Sequence, residues 1–161
     1  MGRMNLSPNT WSCLPTSVAN AIHMDVEDFI YLLGHDGSAC PYPPPDTNIK
    51  RGFHTQECIN VLVSMGYTAT PIEAFPKLTP YKGGPSTQVF ENPWEAFSFE
   101  LCRSRGFICG SIVNGRGHAV SNIKGIITDP MYYKTISYKY DCMESHNFKP
   151  LVYYRVEKCT L

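Results

Sequence analysis

The sequence has little charge. Asp, Glu, Lys and Arg make up 17% of the 161 residues, below the roughly 25% of an average soluble domain. The 14 basic and 14 acidic side chains cancel, so the basic surplus that marks nucleic-acid binding is absent. Residues 1–80 hold 4 basic and 7 acidic side chains, and residues 81–161 hold 10 and 7, a drift too weak to specify a partner. No apolar run approaches the roughly 18 residues of a membrane span. Met1 to Leu6 lacks the apolar core of a secretory signal, and Leu6 stands where N-myristoylation requires Ser or Thr. The expectation is a cytoplasmic protein with neither a membrane nor a nucleic acid as partner. Close cysteine pairs are also missing: no Cys-x-x-Cys occurs, so no structural zinc is expected. There is no Gly-x-x-x-x-Gly-Lys phosphate loop, and no cofactor is expected.

Apolar residues form 43% of the chain, with 8 Phe, 10 Tyr and 2 Trp. That content excludes intrinsic disorder as the main state. The length suits one domain over residues 1–161 with a core of its own. The seven cysteines are Cys13, Cys40, Cys58, Cys102, Cys109, Cys142 and Cys159. An odd number in a reducing compartment points to free thiols, most of them small core residues.

Two stretches, 34–52 and 76–93, are dense in Pro and Gly and read as long surface loops within one domain. Helical spacing surrounds them. Leu14, Val18 and Ile22 share one face of a helix near 13–23, with Ser12 as cap and Pro15 in the first turn. Asp25 caps a second helix that Gly34 stops. A third runs from His54 to Met65 and a fourth from Pro93 to Arg105. Past residue 106 the pattern becomes strand-like: 107–113, a turn at Asn114 to Gly117, 118–123, a turn at Lys124-Gly125, then 126–128, 132–140 and 151–156. Helices followed by an antiparallel sheet give an α+β class.

Three residues stand out by position. Cys13 begins the first helix, where the dipole and unpaired N–H groups favour a thiolate. His118 opens a strand after a glycine turn and can exchange a proton with that thiol. Asp129 ends the next strand and can fix the imidazole tautomer. The hairpin brings His118 and Asp129 together, and Cys13 joins them if the first helix packs on the sheet. His35 and Asp36 are read as a turn after the second helix, and His54 as a helix-start residue. Tyr132, Tyr133, Tyr138 and Tyr140 read as a packed sheet edge rather than a base-stacking platform.

The segments Trp11-Ser12-Cys13-Leu14-Pro15-Thr16-Ser17-Val18-Ala19, Gly117-His118-Ala119-Val120 and Ile127-Thr128-Asp129-Pro130 resemble the papain-fold cysteine peptidases. Within that superfamily they are most similar to the bacteriocin-processing, double-glycine peptidases and their small standalone relatives of the kind found in phage genomes. Gly34-His35-Asp36-Gly37-Ser38 and Gly52-Phe53-His54-Thr55-Gln56-Glu57 add to the likeness, which spans most of residues 5–130. It implies a papain-like fold, Cys13 as nucleophile, His118 as general base and Asp129 as orienting residue. It also implies a protein or peptide substrate, met in a host cytoplasm if the chain is phage-encoded. The Gly83-Gly84 pair matches the sites cut by exporter-linked relatives, but paired glycines are common in loops and self-cleavage is not expected. With 12 residues before Cys13, latency is expected to come from loops or partners rather than a propeptide.

One position departs from that pattern. Papain-like enzymes commonly carry a Gln about six residues before the nucleophile as an oxyanion donor; here it is Ser7. Asn9 carries an amide four residues before Cys13. Either Asn9 substitutes, or backbone N–H groups suffice, or activity is weak or lost. The leading expectation is hydrolysis of a peptide, isopeptide or amide bond through a thioester. Glutamine deamidation or acyl transfer by the same triad is an alternative. A catalytically weak or inactive binding module on the same fold, such as an inhibitor of a host protein, is another.

Overall fold

The computed structural model describes residues 4–39, 50–76 and 93–159. Cys40, Pro43 to Pro45, the Gly83-Gly84 pair and most of the two Pro/Gly stretches lie outside these residues. The elements follow as α1 (Cys13–Ala21), α2 (Val26–Leu33), α3 (Thr55–Ser64), β1 (Tyr67–Glu73), α4 (Pro93–Arg103), β2 (Arg105–Ile112), β3 (Gly117–Ile123), β4 (Ile126–Pro130), β5 (Thr135–Lys139) and β6 (Phe148–Lys158). Two short 3-10 turns, Tyr140–Cys142 and Glu144–His146, join β5 to β6.

Helix ends follow local chemistry. The Asp25 carboxylate accepts from the N–H groups of Glu27 and Asp28, and Gly34 at φ +83° closes α2 in the left-handed region that favours glycine. The N–H of His54 donates to Glu57 Oε2 at 2.9 Å, which seals the start of α3. Ser12 differs from expectation: it precedes α1 but its side chain caps nothing. Its hydroxyl is fully buried, with no hydrogen-bond partner among the described residues. The Ser12 carbonyl instead accepts from the Thr16 N–H at 3.2 Å and the Thr16 hydroxyl at 2.6 Å.

The six strands form one antiparallel sheet in the order β1-β6-β2-β3-β4-β5. Strand β1 was not expected from the sequence. Among the described residues it pairs only with β6, with Pro71 opposite Tyr154, and an edge position tolerates a proline that cannot donate. The last two strands also differ in extent. Strand β5 is shorter than 132–140 and β6 longer than 151–156, because pairing with both β1 and β2 holds β6 extended over its whole length.

Helices cover both faces. On one, Val18, Ala19 and Ile22 of α1, Phe29 of α2 and Leu62 of α3 pack with Phe107 and Val156. On the other, Phe97 and Leu101 of α4 pack with Ile108, Val120, Ile127 and Tyr153. Asn122 ties α4 to the sheet. Its amide donates to the carbonyls of Leu101 and Ser104 at 3.0 and 3.2 Å and to Tyr153 Oη at 3.1 Å, while its oxygen accepts from the Gly125 N–H at 3.0 Å. A buried amide paired this fully specifies one packing arrangement. No helix among the described residues is long and apolar enough to cross a membrane.

Candidate active site

The segment before α1 is pinned at both ends. Asn20, buried in α1, accepts from the Asn5 N–H at 2.7 Å and the Asn5 amide at 2.9 Å. Further on, the Ser7 N–H donates to the Met131 carbonyl at 3.2 Å, just past the end of β4. The start of α1 is thereby held at the end of the sheet where β3 begins and β4 stops. Midway along α1, the Ser17 hydroxyl donates to the Ala119 carbonyl at 3.1 Å.

Strand alternation puts side chains on opposite faces with a period of 2. His118 shares a face with Val120, and Asp129 with Ile127, so both belong to the α4 side. Helix α1 lies on the other side. His118 and Cys13 meet at the strand ends rather than through the body of the sheet.

His118 is the hub. Its Nε2–H donates to Asp129 Oδ1 at 2.7 Å, with the side chains 17% and 10% exposed. Its other polar neighbour is the Cys13 thiol, near enough to help raise the pKa of the ring. Since Nε2 is engaged by the carboxylate, Nδ1 is the ring nitrogen left for the sulfur. Burial by itself would pull the imidazole pKa down. The hydrogen bond to Asp129, the neighbouring Cys13 thiol and the charges of both outweigh it and push His118 up to about 10. The ring also meets Phe148 edge-on at 6.0 Å. Cys13, His118 and Asp129, singled out in the sequence, thus come together.

No protein-family model matches the chain, and no curated protein matches it.

Asn9 lies in the turn leading to the thiol. Its Oδ1 accepts from the Trp11 N–H at 3.0 Å, which leaves its NH2 end without a partner among the described residues. Ser7 is buried, and its hydroxyl donates to the Asn9 carbonyl at 2.7 Å. Ser7 therefore shapes the turn while Asn9 carries the available donor. A further donor is the N–H of Cys13, the first residue of α1, which has no partner within the helix.

His35 and Asp36 form turns, as their sequence context suggested. The Gly37 N–H donates to His35 Nδ1 at 3.1 Å, and the Ser38 N–H and hydroxyl donate to Asp36 Oδ1 at 3.0 and 2.6 Å. With Nδ1 accepting, His35 donates through Nε2 to Glu57 Oε1 at 2.9 Å, and Arg51 Nη2 reaches the same oxygen at 2.7 Å. Burial opposes ionisation of Glu57, but the bonds from Arg51, the His54 N–H and His35 hold it down at about 2. Phe53 stacks on His35 at 4.9 Å. This cluster backs the turn before α1, because the Trp11 indole N–H donates to the Asp36 carbonyl at 2.8 Å.

The other thiols sit in different surroundings. Burial pushes Cys58 up to about 12 and Cys109 up to about 11. The six described cysteines, Cys13, Cys58, Cys102, Cys109, Cys142 and Cys159, are free thiols. Among the described residues no group of three or more His, Cys, Asp or Glu could hold a metal ion. Two contributors escaped the sequence reading: Phe148, which packs on His118, and Gly110, paired with His118 across β2 and β3. No motif flags either; the register of β6 on β2 brings Phe148 to the site, and that of β2 on β3 brings Gly110.

Proposed function

We propose that the protein is a thiol hydrolase that cleaves an amide bond of a protein or peptide through a thioester on Cys13. The observation that carries this reading is the position of His118, bonded to Asp129 through one nitrogen at 2.7 Å and near enough to the Cys13 thiol for that thiol to help raise its pKa. An imidazolium beside the sulfur favours the ionised nucleophile. The sulfur attacks the carbonyl carbon, and the oxyanion that forms is met by the Cys13 N–H and the Asn9 amide. As the C–N bond breaks, His118 gives its proton to the departing amine, leaving the acyl group on sulfur. His118 then takes a proton from water, whose oxygen attacks the thioester. The acid leaves, and the sulfur and imidazole regain their starting state. The order of Cys, His and Asp, and a helix start followed by strand ends, are those of the papain-like peptidases that the sequence resembles. The α+β arrangement is compatible with that fold.

The test is brief iodoacetamide treatment at about pH 6–7, with each thiol mapped by mass spectrometry. Cys13 is expected to alkylate at least about tenfold faster than any other cysteine, and His118→Ala to abolish that lead. Equal labelling of several thiols in the unaltered protein would overturn the reading.

A further inference from the structure

A second feature lies on the same face of the sheet as His118. A cavity of about 680 Å³ opens between α4, the β2–β3 hairpin and the turns before β6, within the range of small-ligand sites. Among the described residues its walls include Phe75, Trp94, Ile112, Val113, Met143 and Phe148. Phe75 and Trp94 stack at 5.7 Å. Phe148 is shared with the candidate active site, since the ring that lines the cavity also meets His118 edge-on at 6.0 Å. The register gives the same continuity: Gly110 pairs with His118, and Ser111 and Ile112, next along β2, line the cavity. Two wall residues remain open to solvent, Phe75 at 56% and Val113 at 79%.

We propose that this cavity is the subsite for an aromatic side chain of the substrate. The inference rests on the thiol hydrolase reading and deepens it by naming what the substrate presents beside the scissile bond. Rings from three separate segments suit an aromatic guest, because edge-on and offset contacts between rings add to the burial of apolar surface. The acidic and basic lip residues Asp141, Glu144 and Lys149 surround an apolar interior, so a charged guest gains no single-sign partner. A ring seated against Phe148 is held one side chain away from the imidazole that transfers the proton.

Two pairs of electrophiles place a phenyl ring on either side of the reactive carbonyl. Acetyl-Ala-Phe chloromethyl ketone is compared with acetyl-Ala-Ala chloromethyl ketone, and N-phenethyl-iodoacetamide with N-propyl-iodoacetamide. At least one phenyl reagent should modify Cys13 about tenfold faster than its partner. Phe75→Ala and Val113→Glu, both at exposed positions, should each remove most of that preference while leaving the rate with plain iodoacetamide unchanged. No preference in either pair, or a preference that survives both substitutions, overturns the subsite and leaves the hydrolase reading standing. Plain iodoacetamide showing no lead for Cys13 overturns the hydrolase reading, and the subsite with it.

Discussion

In the proposed mechanism Asp129 acts on Cys13 through His118. Its oxygen reaches the imidazole Nε2 at 2.7 Å, so its contribution is to hold the ring and support its charge. Asp129→Asn keeps the shape and removes the charge. The His118 pKa, held at about 10 by Asp129 and Cys13, should fall toward its ordinary 6.5, as read by NMR titration of the ring protons. His118→Ala removes the proton carrier itself and should lower turnover by about 10²–10⁴ on any substrate found. Asn9 and Ser7 are separable in the same way. Asn9→Ala should cut turnover by about 10²–10³, the usual cost of one oxyanion donor, with Cys13 alkylation nearly unchanged. Ser7→Ala removes a buried hydroxyl that donates to the Asn9 carbonyl. It should cost about 1 kcal/mol of stability, seen as a lower urea midpoint, and change turnover far less than Asn9→Ala. The sequence placed an amide in reach but could not show which of its ends is free. That depends on the Trp11 N–H taking the oxygen.

At the scale of elements, the close approach of β6 to β2 shapes the site. The two strands shift register at Cys109/Gly110. A Cβ on Gly110 would stand 2.1 Å from the Lys149 carbonyl oxygen and 2.9 Å from the Phe148 ring. Neither backbone nor packed ring can yield that much, so only glycine lets β6 close here and hold Phe148 against His118. Gly110→Ala should therefore destabilise the protein by about 1–3 kcal/mol, the usual cost of overpacking, measured by urea unfolding. It should also slow Cys13 alkylation through the displaced ring. The helices and the β2–β3 hairpin were legible because their signals are local: apolar spacing for α1, Asp25 and Gly34 around α2, and Asn114 to Gly117 at the hairpin. Strand β1 was not, because its inward residues Tyr67 and Ala69, alternating with exposed Thr68 and Thr70, make only a short and weakly apolar pattern that Pro71 interrupts. Its strand character comes from pairing with β6, some 80 residues away. The failure of Ser12 to cap α1 was illegible for a related reason. Residue type offers a hydroxyl, but tertiary burial decides whether it can turn to the helix N–H groups.

For the whole molecule, the choice of Cys13, His118 and Asp129 was legible and their placement was not. Cys13, His118 and Asp129 could be chosen by helix-start and strand-end context. That they meet around the end of the sheet follows from α1 and α4 covering opposite faces, an arrangement set by packing rather than by any motif. The same groups govern stability against pH. Glu57 has its pKa lowered to about 2 from 4.5. Between those values the unfolded chain binds a proton that the native protein refuses, so stability rises with pH there and is lost as pH falls through 2. His118 has its pKa raised to about 10 from 6.5. Its contribution is full below 6.5 and is lost as pH rises through 10, because the native protein keeps a proton that the unfolded chain has released. Cys109 and Cys58, raised to about 11 and 12 from 9.0, add a loss that begins only above pH 9. The alkaline side thus has two parts with different owners. Urea unfolding followed from pH 3 to 10 should show greatest stability between about pH 4.5 and 6.5. Glu57→Gln should flatten the acid side alone. Asp129→Asn should flatten the decline between pH 6.5 and 9 while leaving the steeper loss above pH 9 in place. If Asp129→Asn leaves the decline between pH 6.5 and 9 unchanged, His118 does not hold its proton through Asp129 in the folded protein.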